Sequence, residues 1–134
     1  MRVVIEHQEN GIFEGKFSEK GSIKIGSSLE ENPTPMQLIL LAAGTCSAID
    51  VVSILHKKRQ QLIGYRIEVE GQRRKDHPRA FSKIHIHHVI IGKNISEKAV
   101  ADAIRLSDEK YCSVVATLRP TALITTSYQI IEED

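Results

Sequence analysis

The chain has 134 residues, and 18 Lys and Arg against 17 Asp and Glu leave a formal charge of +1. So even a balance excludes a strong overall field for nucleic acid or an anionic membrane, and any charged partner has to be met by a local patch. Two cysteines exclude a disulfide scaffold and a four-thiolate zinc site, while the length suffices for one domain over residues 1–134 with a real core.

Met1 leads directly into the alternating segment RVVIEHQ and not into a basic patch with a small-residue cleavage site, so the expectation is a cytoplasmic protein. Arg2 to His7, Gly11 to Phe17 and Ser22 to Gly26 are predicted strands. The turn signals Glu9-Asn10-Gly11 and Glu19-Lys20-Gly21 separate them into a small antiparallel meander. Ser27 to Pro33 is a polar connection. Thr34 then offers a helix cap, Pro35 suits the first turn because the N–H it lacks would be unpaired there, and Gln37 completes a Thr-x-x-Gln capping box. The helix runs to about Lys58 and closes on His56-Lys57-Lys58-Arg59, cations that suit the negative end of the helix dipole.

The body of that helix, Met36 to Leu55, reads MQLILLAAGTCSAIDVVSIL. It is about as long as a membrane span, yet Thr45, Ser47, Asp50 and Ser53 interrupt it and no basic flank precedes it, which favours a buried helix in a soluble protein. Apolar on almost every side, it should be wrapped by other elements. A domain this small is hard pressed to do so alone, and a homodimer that buries the helix between subunits is expected.

Tyr65 to Gly71 and Phe81 to Ile91 both alternate and flank the basic connection GQRRKDHPRA, which predicts a long hairpin. Ser96 opens a second helix, SEKAVADAIRLSDEKY, with Ala99, Val100, Ala103, Ile104 and Leu106 as its apolar stripe. A short segment from Cys112 to Leu118 follows, and Thr121 to Ile131 is the final strand. Strands, apolar helix, hairpin, helix and strand in that order argue for an α+β fold.

Three groups of residues carry possible chemistry. Cys46 lies among Leu41, Ala42, Ile49 and Val52, where desolvation disfavours a thiolate and Asp50, one turn on, disfavours it further. Taken alone it reads as a packed thiol, since free Cys is among the most buried residue types. Cys112, in EKYCSV with Lys110 close by, sits in a polar setting where a thiol could be accessible. The pair suggests a division of labour in which one thiolate attacks an oxidant, becomes a sulfenic acid and is captured by the other thiol as a disulfide. That chemistry uses no metal or organic cofactor.

His85 and His87 share one face of their strand while His88 points with Ile84, Ile86 and Ile90 to the other, so a solvated face is a simpler account than a metal site. The basic run Arg73-Arg74-Lys75-Asp76-His77-Pro78-Arg79 lacks aromatic neighbours for base stacking and reads as a solvated hairpin tip before it reads as a phosphate or nucleic-acid clamp.

Asn32-Pro33-Thr34-Pro35-Met36-Gln37, then LLAAGTCSAIDVVSIL, FSKIHIHHV and EKYCSV, together resemble the OsmC/Ohr family of osmotically induced and organic hydroperoxide resistance proteins, most closely its YhfA-like branch. The resemblance implies an α+β, OsmC-like intertwined homodimer with the long helix at its centre and active sites at the interface. It also implies a thiol peroxidase in which Cys46 attacks organic hydroperoxides, Cys112 resolves the intermediate, and a dithiol reductant, often lipoyl groups on a protein, restores both thiols. Peroxidase members carry an arginine in the early strands and a glutamate at the start of the central helix; here those places fall near Ile12 and on Met36, with neutral Gln37 beside it. Neither Met nor Gln can hold an arginine through a charged bidentate pair. The competing reading is a non-catalytic dimeric module that binds a small apolar ligand at the interface. Disulfide exchange with protein partners, a third reading, requires an exposed Cys46.

Overall fold

The structure, a computed structural model, describes residues 1–26 and 31–134, and the chain divides into two units, Met1–Ile39 and Leu40–Asp134. In the first unit an Asn-Gly pair sets the register of the opening hairpin. Asn10 and Gly11 both take positive φ, 51° and 76°, as a two-residue type I′ turn demands. Strands β1 (Val4–Glu9), β2 (Ile12–Lys16) and β3 (Ser22–Ile25) form the predicted antiparallel meander in the order β1-β2-β3. Its apolar side chains Val4, Ile5, Phe13 and Ile23 remain exposed, so this sheet presents an apolar surface. The predicted polar connection falls in part on residues 27–30, outside the described residues.

The helix start forms as its sequence requires. Gln37 N–H donates to Thr34 Oγ1 at 3.2 Å and Thr34 N–H donates to Gln37 Oε1 at 2.9 Å, the reciprocal pair of a capping box. Helix α1 (Pro35–Lys57) continues into the second unit.

There, β4 (Gln61–Arg73) and β5 (Phe81–Lys93) make the long antiparallel hairpin, and β6 (Leu123–Glu132) pairs with β5 in parallel from Lys83 to Gly92. A parallel neighbour needs a crossover. It is supplied by α2 (Glu97–Leu106), a π-helical turn (Ser107–Tyr111) and α3 (Ser113–Leu118). Ser96 caps α2 by accepting the Ala99 N–H at 3.2 Å. Val51 and Leu55 of α1, Ile90 of β5, and Ala99, Val100, Ala103 and Ile104 of α2 make the core of this unit. Gly44 lets α1 approach β4, because a Cβ there would lie 2.7 Å from Val69 Cγ2.

Within this chain α1 is not wrapped on all sides: Ala43, Gly44, Ser47, Val51 and Leu55 are buried, while Leu41 and Ile49 stay 57% and 65% exposed. Because the helix is apolar all round, its sequence names no preferred face; packing against β4, β5 and α2 selects one.

Candidate functional site

Gly44, Ser47 and Val51 recur at the spacing of one helix face and turn that face inward. Cys46 and Asp50, four residues apart, flank it on one side, both half-buried. Ser47 is buried beside them at 4% exposure.

The crossover delivers the opposing groups. After Leu106 the backbone widens, and Cys112 N–H donates to the Ser107 carbonyl at 2.9 Å, closing a turn one residue longer than an α-helical one. Ser107, fully buried, donates from Oγ to Asp50 Oδ2 at 2.9 Å, with Ser47 Oγ 3.4 Å away. This hydroxyl ties the π turn to α1 and orients the Asp50 carboxylate. Cys112 then caps α3, its Sγ accepting the Val115 N–H at 3.4 Å. In that position the Cys46 thiol lies close enough to Cys112 to act on its ionisation. Burial pushes the Cys112 thiol up to about 11; the Cys46 sulfur and the Asp50 carboxylate push the same way, while the Val115 N–H opposes them. At neutral pH Cys112 is therefore a thiol.

The two sequence-predicted site residues, Cys46 and Cys112, are thus brought together, but their exposures reverse the expectation. Cys112 is only 3% exposed and Cys46 is the more accessible of the two. The π turn and the cap to Val115 tuck the second sulfur inward, and Lys110 extends over the Tyr111 ring, 5.4 Å from its centroid. Ser47 and Ser107 were not singled out from sequence. A signal for Ser47 did exist, a polar Ser-x-x-Asp pair inside an apolar helix, whereas Ser107 in the polar run SDEKY carried none.

Outside the thiol pair, the histidines divide as the strand alternation predicts. On one face His85 Nδ1 and Nε2 meet Thr125 Oγ1 at 2.6 Å and Ser127 Oγ at 2.8 Å, and His87 Nδ1 meets the same Ser127 hydroxyl at 2.7 Å. Among the described residues no three His, Cys, Asp or Glu side chains are grouped to hold a metal ion. His88 is fully buried on the other face, its Nδ1 hydrogen-bonded to the Tyr65 hydroxyl and its Nε2 without a partner among the described residues. Burial, with His87 adding to it, lowers His88 to about 4 and keeps the ring neutral. In the basic run, Arg73 Nε donates to the Arg79 carbonyl at 2.8 Å and Arg74 Nη2 to the Thr121 carbonyl at 3.1 Å, which fixes the base of the hairpin tip beside the end of α3.

The family model described as OsmC-like protein matches residues 27–127. Protein YhfA of Escherichia coli K12 is 44% identical over 106 residues, 79% of each chain. A hypothetical protein from Aquifex aeolicus VF5 has a similar structure, with a TM-score of 0.90 at 36% identity over 99% of this chain and 97% of its own. The organic hydroperoxide resistance protein OhrB of Bacillus subtilis shares the fold, with a TM-score of 0.64 at 12% identity over 96% of this chain and 98% of its own.

Proposed function

The chain belongs to the OsmC-like protein family, and from that premise we propose that it is a cytoplasmic, homodimeric redox protein that reduces organic hydroperoxides through Cys46 and Cys112. The observation that carries the reading is the meeting of two free thiols from distant parts of the chain at the α1–π turn contact.

In the proposed cycle the Cys46 thiolate attacks the terminal oxygen of the hydroperoxide. An S–O bond forms, the O–O bond breaks, and the alcohol leaves with a proton. The sulfur is now a sulfenic acid. Cys112 Sγ attacks it, the S–S bond forms, and water departs with the hydroxyl of the sulfenic acid and the Cys112 proton. Two electrons and two protons from a dithiol reductant restore both thiols. The shared fold with OhrB, whose name ties that protein to hydroperoxide resistance, supports the substrate class. The nearby thiols weigh against a non-catalytic apolar binding module.

What this chain leaves open supports dimerisation. Leu41, Ile49 and Val52 on α1 are exposed, and so are the apolar side chains of the first-unit sheet. Burial of such surface is worth about 25 cal/mol per Å2, which favours a second copy over water. Sedimentation at micromolar concentration is expected to give twice the chain mass, and a monomer would count against the interface.

The central test is consumption of cumene hydroperoxide with dithiothreitol as reductant. Wild type is expected to turn over and Cys46→Ser to fall to background. Equal inactivity of both across several dithiols sinks the peroxidase reading.

A further inference from the structure

Asp50 is the only carboxylate in helix α1, half-buried and one turn after Cys46 on the same side. Among the described residues no cation pairs with it. A hydroxyl holds it instead: Ser107 Oγ donates to Oδ2 at 2.9 Å, while Oδ1 has no partner among the described residues. Taking a carboxylate out of water without a counter-charge costs stability, so packing alone does not account for an aspartate at this place in an apolar helix.

The same serine reaches the second thiol. Its hydroxyl donates to Asp50 while its carbonyl accepts the Cys112 N–H at 2.9 Å, so two hydrogen bonds of one residue fix how the carboxylate and Cys112 stand to each other. The carboxylate is close enough to Cys112 to act on its ionisation. Other charged groups of this region are committed elsewhere. Arg119 at the end of α3 is held by Asp108, Glu109 faces Arg105, and Lys110 lies over the Tyr111 ring. Disulfide closure needs two proton movements here: Cys112, a thiol up to about 11, must give up its proton to attack, and the hydroxide displaced from the Cys46 sulfenic acid must gain one to leave.

We propose that Asp50 carries the proton of the resolving step, from the Cys112 thiol to the hydroxide that leaves the Cys46 sulfenic acid. The proposal rests on the thiol chemistry of the preceding section. The free Oδ1 takes the proton as Cys112 Sγ attacks the Cys46 sulfur. The S–S bond forms, the S–OH bond breaks, and the same proton passes to the departing hydroxide, which leaves as water. The Cys46 sulfur is reduced and the Cys112 sulfur oxidised, with no other oxidant or reductant taking part. The carboxylate is regenerated with its Ser107 hydrogen bond intact. Its place serves both ends of the transfer, one turn along α1 from Cys46 and across the π turn from Cys112.

The test gives the full-length protein one equivalent of cumene hydroperoxide in the presence of dimedone. Intact mass then counts the disulfide, a loss of two hydrogens, against the dimedone adduct of Cys46. That ratio measures closure against a fixed trapping reaction, whatever the rate of the first attack. Asp50→Asn keeps an oxygen that can accept from Ser107 but cannot carry the proton, and is expected to lower the ratio about a hundredfold. Asp50→Glu should recover much of it. Between pH 6 and 8 the wild-type ratio is expected to stay nearly level, whereas in Asp50→Asn it should climb about tenfold per pH unit, because Cys112 must then ionise unaided. Ser107→Ala removes the tether and leaves the carboxylate, so it should slow closure with the level profile kept; a slope like that of Asp50→Asn would point to the tether and overturn the proposal. So would an Asp50→Asn protein that closes as fast as wild type, or slows with the wild-type pH dependence, and either result leaves the two-thiol cycle standing. If wild type forms no disulfide, the cycle itself fails and the proposal falls with it.

Discussion

Buried His88 makes the stability of the protein depend on pH in a defined window. The ring is fully buried, its Nδ1 is occupied by the Tyr65 hydroxyl, and its Nε2 has no partner among the described residues to receive a second proton's charge. Its value is lowered from 6.5 to about 4. Between those values the unfolded chain binds a proton that the folded chain refuses, so stability is full above about pH 6.5 and is lost as pH falls toward 4. At about 1.4 kcal/mol per pH unit across that window, the loss reaches about 3 kcal/mol by pH 4. His88→Gln retains an oxygen that can accept from Tyr65 but does not titrate. Urea melts of both proteins at pH 7.5, 6.0, 5.0 and 4.0, at one fixed concentration, subtract the acid sensitivity of the carboxylates they share. The wild type is expected to lose about 3 kcal/mol more than the variant over that range. Parallel stability curves for the two would refute the reasoning, as would an NMR titration of His88 near its ordinary value.

Other perturbations probe the site and its supports. Cys112→Ser is expected to leave the Cys46 sulfenic acid unresolved after one equivalent of cumene hydroperoxide, detected by mass as a dimedone adduct that the wild type does not accumulate. Gly44→Ala should cost about 1–2 kcal/mol in a urea melt, because its Cβ would meet Val69 Cγ2 at 2.7 Å and overpacking outweighs the gain of roughly 1 kcal/mol in helix propensity. Thr34→Ala removes the acceptor of the Gln37 N–H and should lower stability by about 1 kcal/mol, with Thr34→Ser retaining most of it.

What could be read from sequence was what neighbouring residues decide among themselves. The Thr34–Gln37 box, the Asn10-Gly11 turn, the Ser96 cap and the alternation that splits His85 and His87 from His88 all depend on spacing of a few residues, and all form. The buried side of α1 was illegible because every side is apolar; Gly44 against Val69 and Val51 against Ile90 belong to packing between distant elements. The site was half legible. Cys46 and Cys112 stand out as the only thiols, yet nothing local in SDEKY announces a π turn, and without that turn Cys112 reads as an accessible thiol. The tether from Arg74 to Thr121 spans 47 residues, so the basic run looked like an isolated tip.

The π turn also sets how the site tolerates changes in chain length. Removing one residue from Asp108 to Lys110 would let α2 continue in regular α-helical phase. The segment that opens α3 would then rotate by about 100° and withdraw by about 1.5 Å relative to α2, and the connection from α3 to β6 would absorb the difference. Cys112 would swing away from Cys46 although every side chain of the pair were still present. A deletion there is expected to abolish disulfide formation while sparing the fold of α1 and the sheet. The same deletion made in the exposed hairpin tip should leave the thiols in register. Length, and not only composition, is therefore a chemical variable in this segment.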